Sequence, residues 1–191
     1  MPEVQAVAAA AVVRIIGIDP GSKRVGVGVI DASHDYVKHL FHATHVLDEE
    51  KTFPVRLVQL GELIDEALRN WMPTMVEAEF GMVAALEAPV FRMATPTIFP
   101  VVEARGVILQ SLGRVGVAVA EYQPQTVKLR VTGYGRARKP QVKAAVRDIL
   151  GLPKKPQEDA ADALAVAICH AVVSGLVGRE IIERVRVSAV S

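Results

Sequence analysis

Residues 12–21 read Val-Val-Arg-Ile-Ile-Gly-Ile-Asp-Pro-Gly, and this stretch decides the fold. Its first seven residues are mostly Val and Ile, and β-branched runs of this kind favour strands. Pro20-Gly21 then ends the run with a turn. The sequence therefore predicts a buried strand at the centre of a sheet, with the carboxylate of Asp19 at its carboxyl end.

Two further strands are predicted directly after this one. Residues 25–30 alternate Val with Gly, and a third extended stretch spans about residues 36–46. Three consecutive strands with short connections indicate an antiparallel meander. Gly26 and Gly28 leave one face of the second strand without side chains, so we expect another element to pack closely there.

The remainder of the chain alternates helices with strands. Thr52 and Pro54 begin a run of apolar residues at helical spacing that extends to Trp71. The further predicted elements are a buried strand at 83–87, a helix at 96–112 ended by Gly113, a strand at 114–122 parallel to its neighbour, a short helix at 125–131, a basic glycine loop at 132–139, and helices at 140–150 and 158–176. This order predicts an α/β fold with a mixed five-stranded sheet, its first three strands antiparallel, and helices on both faces.

The pattern indicates one domain at residues 13–176, after a flexible extension at 1–12 and before a tail at 177–191. The chain has 191 residues, 51% of them hydrophobic, which excludes disorder as its dominant state. The 22 Lys and Arg nearly balance the 21 Asp and Glu, so a polyanion must be met by a local basic patch.

The cysteine content and the apolar runs bear on the compartment and exclude several classes of protein. A single cysteine, Cys169, excludes an internal disulfide and a cysteine zinc site, and it agrees with a reducing, cytoplasmic setting. The early apolar run at residues 6–13 lacks a preceding Lys or Arg and is shorter than the roughly 20 residues of a spanning helix.

Four acids occupy places that a metal-dependent nuclease requires. Asp19 and Glu87 each end an apolar strand, and Asp159 and Asp162 are spaced to share one face of an alanine-rich helix. Paired divalent ions need carboxylates from separate elements, and Mg²⁺ takes only a few of them besides water and phosphate oxygens. Each acid alone also suits a turn, a strand end or a helix N-terminus. Their joint placement favours a metal site.

These segments resemble the RuvC family of Holliday-junction resolvases, which has a ribonuclease H-like fold. The resemblance covers roughly residues 14–172 and is carried by Gly-Ile-Asp-Pro-Gly-Ser at 17–22, the strand of Glu87, Glu-Ala-Arg-Gly-Val at 103–107 and Asp-Ala-Ala-Asp-Ala-Leu-Ala at 159–165. The step from Glu87 to Arg105 matches the family without a gap, which favours Glu87 over Glu77 and Glu79 as the second acid.

The resemblance implies that Asp19, Glu87, Asp159 and Asp162 are catalytic and hold two Mg²⁺ ions, for which Mn²⁺ can substitute. It also implies a homodimer that cuts two symmetric strands of a four-way DNA junction, leaving 5′-phosphate and 3′-hydroxyl ends. Branch-migration proteins are a further class of partner under this resemblance.

The sequence departs from the family pattern around the second acid and near the N-terminus. Residues 86–91 read Leu-Glu-Ala-Pro-Val-Phe, so Phe91 lies next to the position of the family's base-unstacking aromatic. Phe91 is therefore the candidate for that role, and a core phenylalanine is the alternative. The differences at residues 1–12 and 75–80 indicate a phage or divergent member.

Basic residues around the glycine loop are the candidates for phosphate binding, since phosphate contacts supply most nucleic-acid affinity. These candidates are Lys128, Arg130, Arg136, Arg138, Lys139 and Lys143. Lys128 and Lys139 match lysines with which the family binds DNA. A solvated surface loop is the alternative for each residue. Lys154 and Lys155 fit a plain linker better.

Three histidines, His39, His42 and His45, recur at every third residue. In a regular strand this spacing alternates faces, so they are not expected to converge on a metal. Cys169 is expected in the core, and Trp71 is expected to pack at its helix end.

Three other functions are alternatives to junction cleavage. The YqgF family of RNA-processing nucleases shares the Gly-Ile-Asp-Pro-Gly strand but lacks the Asp-Ala-Ala-Asp helix. An actin-like or sugar-kinase-like ATPase would need a second phosphate motif, which this sequence does not show. A catalytically silent junction-binding module would be expected to lose one or more of the four acids.

Overall fold

The computed structural model describes residues 12–73, 81–89 and 98–178. Most of the predicted extension, most of the tail, Glu77, Glu79 and Phe91 lie outside these ranges. Within them the elements are β1 (Val13–Asp19), β2 (Arg24–Ser33), β3 (Tyr36–Val46), α1 (Phe53–Trp71), β4 (Gly81–Glu87), α2 (Phe99–Arg114), β5 (Ala118–Tyr122), α3 (Pro124–Thr132), α4 (Lys139–Leu150) and α5 (Glu158–Val173).

The strands form one five-stranded sheet in the order β3-β2-β1-β4-β5. β1 pairs with β2, and β2 with β3, in antiparallel fashion. β4 runs parallel to β1 on one side and to β5 on the other. The predicted mixed sheet is therefore confirmed, and β1 is its central strand. Because β1, β4 and β5 are parallel, their carboxyl ends meet at one edge.

Helices cover both faces of the sheet, as predicted. Ile16 and Ile18 of β1 pack with α1 and α2, whereas Ile15 belongs to the cluster formed with α3, α4 and α5. Since strand side chains alternate, Gly17 and Asp19 share the face of Ile15. The end of the central strand thus presents Asp19 to the α5 side. None of the helices in the described ranges has the length and hydropathy that crossing a bilayer requires.

Helix α5 lies directly on the backbone of β1 and β2. A Cβ atom built on Gly17 would come within 1.9 Å of the carbonyl oxygen of Ala163, and one on Gly26 within 1.9 Å of the carbonyl oxygen of Asp159. A Cβ on Gly28 would meet the Leu164 side chain at 2.7 Å. The expectation of close packing at Gly26 and Gly28 is confirmed, and the packing element is the helix that carries Asp159 and Asp162.

Several element ends differ from the predicted ones. Gly113 lies inside α2, and the turn that ends this helix instead uses Gly116, whose φ is 71°. β5 is consequently shorter than predicted, because the residues before Ala118 complete the helix and the turn. α5 ends at Val173, where the Ser174 hydroxyl donates to the His170 carbonyl (2.6 Å) and Gly175 adopts a φ of 72°.

A β-bulge changes the expected arrangement of the histidines on β3. Val29 pairs with Phe41 and Ile30 with His39, which leaves Leu40 as the extra residue. His39 and His42 therefore share a face, and their rings are hydrogen-bonded, with His39 Nε2 2.8 Å from His42 Nδ1. The prediction that spacing by three separates them was wrong for this pair, because it assumed a regular strand.

We predict that Gly17→Ala destabilises the protein by at least about 3 kcal/mol, beyond the usual cost of overpacking because the clash is with backbone. Gly113→Ala is the matched control. Gly113 lies in a helix with no atom within 4 Å of an added Cβ, so alanine should stabilise by up to about 1 kcal/mol. Urea unfolding measures both changes. Equal effects for the two variants would contradict the close contact of α5 with β1.

Candidate active site

The structure brings the four predicted acids to one edge of the sheet. Asp19 and Glu87 are the last residues of the parallel strands β1 and β4, and Asp159 and Asp162 lie in the first turns of α5. Burial, followed by the charges of Asp162, Glu87 and Asp159, raises the pKa of Asp19 to about 7. Three separate elements thus place carboxylates close enough to repel one another.

Glu87 and Asp162 experience a similar environment. Burial and the neighbouring Asp162 raise the pKa of Glu87 to about 7, although Lys128 and Lys139 act in the opposite direction. Burial also raises the pKa of Asp162, with Lys139 opposing this shift. Like charges held together out of water favour protonation or cation binding. This edge of the sheet is therefore built to receive positive charge.

The beginning of α5 is held by a contact from a distant strand. Gln157, the residue before the helix, makes no side-chain capping bond. Instead, the Ala160 backbone N–H donates to Oγ1 of Thr44 in β3 at 3.1 Å. This bond satisfies one of the free donors of the first turn. Together with the contact at Gly26, it fixes the turn that carries Asp159.

Two cationic side chains pair with the acids of α5. Lys139, the first residue of α4, pairs with Glu158, and its Nζ lies 3.8 Å from Oδ2 of Asp162. Nε of Arg24, at the start of β2, lies 3.7 Å from Oδ2 of Asp159. Both cations are more than half exposed, so water screens them and they neutralise the cluster only in part.

The donor set fits a hard divalent cation. All four acids offer carboxylate oxygens, which Mg²⁺ and Mn²⁺ prefer. Across residues 12–73, 81–89 and 98–178, no three Asp, Glu, His or Cys side chains form a ready-made group that could hold an ion. An open set of this kind suits Mg²⁺, which retains water and takes oxygens from its substrate.

Comparison with known proteins then decides the family. The family model described as crossover junction endodeoxyribonuclease RuvC matches residues 15–170, which is most of the chain. The chain belongs to the RuvC family. The match includes all four acids and every described strand except the first two residues of β1.

Individual RuvC proteins are similar to this chain over most of its length. It is 39% identical over 158 residues to the RuvC of Syntrophomonas wolfei, covering 82% of this chain and 87% of that protein. It is 38% identical over 164 residues to the RuvC of Thermotoga maritima, covering 84% and 92%. The solved structure of Thermus thermophilus RuvC in complex with a Holliday junction superposes with a TM-score of 0.75 at 29% identity, covering 85% and 94%.

The predicted phosphate-binding residues fall into three groups. Lys128 and Lys139 act to lower the pKa of Glu87, so these two lysines lie near the four acids. Lys143 acts to lower the pKa of Glu158, the residue before Asp159. Arg136 and Arg138 are exposed in the loop between α3 and α4. Arg130 acts electrostatically on the buried thiol of Cys169. Phe91, the candidate for unstacking a base, lies outside the described residues.

Cys169 and Trp71 occupy the structural positions that the sequence predicts. Cys169 is a buried core residue, as predicted. Because burial raises the pKa of its thiol to about 12, Cys169 is a poor nucleophile. Trp71 stacks against Phe41 at a centroid distance of 5.4 Å, as expected for the end of α1. On the α5 side, the Tyr122 hydroxyl lies 2.8 Å from Nδ1 of His170.

Sequence reasoning missed the residues that support the acids. Thr44, Arg24 and Glu158 carry no motif of their own, since each acts through a partner remote in sequence. Arg56 of α1 likewise donates to the Ser22 carbonyl at 3.1 Å and so supports the turn after Asp19. Of the supporting residues, Arg105 alone lies in one of the family-like segments, at residues 103–107.

We predict that the contribution of Asp19 and Glu87 to the stability of the metal-free protein falls as the pH rises from about 4 to about 7. In this range the folded protein keeps protons on Asp19 and Glu87 that the unfolded chain, with ordinary carboxyl pKa values, has released. A shift of about three units in one group corresponds to at most about 4 kcal/mol. Asp19→Asn should therefore stabilise the metal-free protein at pH 8 by about 1–3 kcal/mol and have little effect at pH 4.

Chemical denaturation at several pH values measures this effect, and Glu62→Gln, at an exposed position of α1, is the control. Histidine titration is common to all three proteins, so it cancels in the differences. A wild-type pH profile in Asp19→Asn would contradict the raised pKa of Asp19 in the fold.

Proposed function

We propose that this protein is a structure-selective endonuclease that resolves four-way DNA junctions by paired, symmetric nicks. One observation carries the proposal: half-buried carboxylates from two parallel strand ends and one helix lie together, and the pKa values of Asp19 and Glu87 are raised to about 7. Such crowding is costly for stability, and it is characteristic of functional sites. Phosphodiester hydrolysis assisted by divalent cations is the chemistry that this arrangement suits.

The relatives give the substrate class. The RuvC proteins of S. wolfei and T. maritima are named crossover junction endodeoxyribonucleases, and T. thermophilus RuvC has been solved with a Holliday junction. We transfer this substrate to the present chain because the matched region contains all four acids and the basic residues beside them.

The acids Asp19, Glu87, Asp159 and Asp162 would hold two Mg²⁺ ions, with Mn²⁺ as a substitute. When bound, such ions activate water at neutral pH and stabilise charge on the reacting phosphate. The protein's own part is to orient the carboxylates and to exclude bulk water by the packing of α5. Hydrolysis of this type leaves 5′-phosphate and 3′-hydroxyl ends.

The basic residues have a separate role in binding the DNA backbone. Lys128, Arg136, Arg138, Lys139 and Lys143 would contact phosphates next to the acids. Lys139 pairs with Glu158 and Asp162 in the present structure. When DNA and a divalent cation bind, a phosphate would become the partner of Lys139 and the cation would become the partner of Asp162. We keep Phe91 as the candidate for unstacking a base at the crossover.

A symmetric junction needs two nicks, which favours a homodimer. Phe99 and Val102 of α2 are exposed apolar residues on the helix that follows Glu87 in the chain, and they offer surface for such a contact. We also propose a cytoplasmic setting, and branch-migration proteins remain a candidate class of partner.

The alternatives have less support. A YqgF-like RNA-processing nuclease is not favoured, because the chain carries the Asp159–Asp162 helix and matches RuvC proteins over most of its length. A silent binding module has no specific observation in its favour, since all four acids are present.

We predict that Glu87→Gln lowers the rate of junction cleavage in Mg²⁺ by at least about 100-fold, because a metal-bound carboxylate is lost. Junction binding without metal should stay within about twofold of wild type, since the acid repels DNA and the basic residues are intact. Cleavage of a synthetic mobile junction, a linear duplex and a single strand, followed on denaturing gels, measures the rate and selectivity. Cleavage of all three substrates alike would contradict junction selectivity, and Glu66→Gln of α1 is the control.

We also predict that Arg136→Ala weakens binding of every junction sequence alike and reduces the slope of log K against log salt by about one. Lys38→Ala is the control, because Lys38 is an exposed lysine of β3 opposite Asp31, at the end of the sheet remote from Asp19. Titrations at several salt concentrations give the slopes. An unchanged slope in Arg136→Ala would remove this residue from the phosphate contacts.

A further inference from the structure

Arg105 of α2 is a buried cation beneath the end of β4. The residue is 7% exposed, and its Nη1 donates to the main-chain carbonyl of Glu87 at 3.2 Å. Its Nη2 forms an ion pair with Glu121 of β5. Burying a guanidinium is costly unless its donors are satisfied, and here they are satisfied by the last residue of β4 and by the neighbouring strand.

The backbone of Glu87 needs such a restraint. Pairing of β4 with β1 ends at Leu86, opposite Ile18, one residue before Glu87. On the other side Glu87 pairs with Tyr122, and the next N–H, from Ala88, donates to the Tyr122 carbonyl at 2.8 Å. The strand end is therefore held by β5 from one side, and Arg105 adds a bond from α2.

We propose that Arg105 is a positioning residue that sets the Glu87 carboxylate for metal binding. It approaches from the α2 face of the sheet, whereas the Glu87 side chain lies on the α5 side, so it acts through the carbonyl and not on the carboxylate. This inference rests on the proposed role of Glu87 in holding divalent ions. Groups that orient metal ligands typically change metal affinity 10- to 100-fold when removed.

Three variants separate the contacts of Arg105. Arg105→Met keeps the apolar stem and removes every donor. Arg105→Lys keeps the charge but loses the planar fork that spans Glu87 and Glu121. Glu121→Gln leaves the bond to the Glu87 carbonyl in place and removes only the charge of the partner.

Arg14→Met is the matched control for loss of a buried arginine. Arg14 is 9% exposed and donates to both carboxylate oxygens of Asp31, at 2.8 and 3.0 Å. It is the second residue of β1, at the end of the strand remote from Asp19. Its loss should lower the melting temperature without moving the acids.

The test measures Mn²⁺ binding to the DNA-free protein by electron paramagnetic resonance of the free ion, together with thermal unfolding. The Mg²⁺ concentration for half-maximal junction cleavage is determined in parallel. We expect Arg105→Met to weaken Mn²⁺ binding about tenfold and to raise the Mg²⁺ requirement by a similar factor. Arg105→Lys should recover part of the loss, Glu121→Gln should stay within about threefold of wild type, and Arg14→Met should bind Mn²⁺ normally despite its lower melting temperature.

Wild-type Mn²⁺ binding in Arg105→Met would overturn the proposal, and so would equal losses in Arg105→Met and Arg14→Met. If Arg105→Met does not fold, Arg105→Lys decides, because unchanged Mn²⁺ binding in that variant also overturns it. Failure of the proposed function has a different signature: the wild type would bind Mn²⁺ and leave junctions uncut, while the effect of Arg105 on Mn²⁺ binding could still be measured. A wild type that binds no Mn²⁺ would refute both.

Discussion

The active-site geometry depends on the direct contact between α5 and the backbone of β1 and β2. Gly17 and Gly26 leave no room for even a methyl group beneath the carbonyls of Ala163 and Asp159. A helix packed on side chains would lie farther from the sheet, because helix-to-sheet spacing follows side-chain size. Its acids would then be out of reach of Asp19. The glycines therefore set the distance over which the carboxylates interact.

This closeness makes the site electrostatically costly. Asp19 and Glu87 are half-buried beside like charges, and their pKa values of about 7 mean that the fold resists their ionisation. The pairing of Lys139 with Asp162 and of Arg24 with Asp159 offsets part of this repulsion. We propose that Lys139, which is largely exposed, exchanges Asp162 for a DNA phosphate when divalent ions bind. Lys139 would thus link the metal-free fold to the DNA-bound state.

The sequence was sufficient for features that depend on local pattern. The β-branched run before Asp19, the Val-Gly alternation of β2 and the spacing of Asp159 and Asp162 correctly predicted the meander, the mixed sheet and the close approach of a helix. It was insufficient where a remote partner or an irregularity decides. The bulge at Leu40, which brings His39 and His42 together, depends on pairing with β2 and has no signature of its own. Thr44 and Arg24 likewise act through residues more than 100 positions away.

The acids differ in how firmly the fold holds them, and this explains why a buried arginine lies under β4. Asp19 ends the central strand, where it pairs with Gly26 and faces α5. Asp159 and Asp162 belong to a helix fixed by glycine contacts and by Thr44. Glu87, in contrast, extends past the ladder with β1 and is followed by the connection to α2. A bond from α2 to its carbonyl restrains the strand at the point where sheet pairing becomes one-sided. Arg105 thereby couples the position of Glu87 to α2, the helix whose exposed Phe99 and Val102 we propose for the homodimer contact.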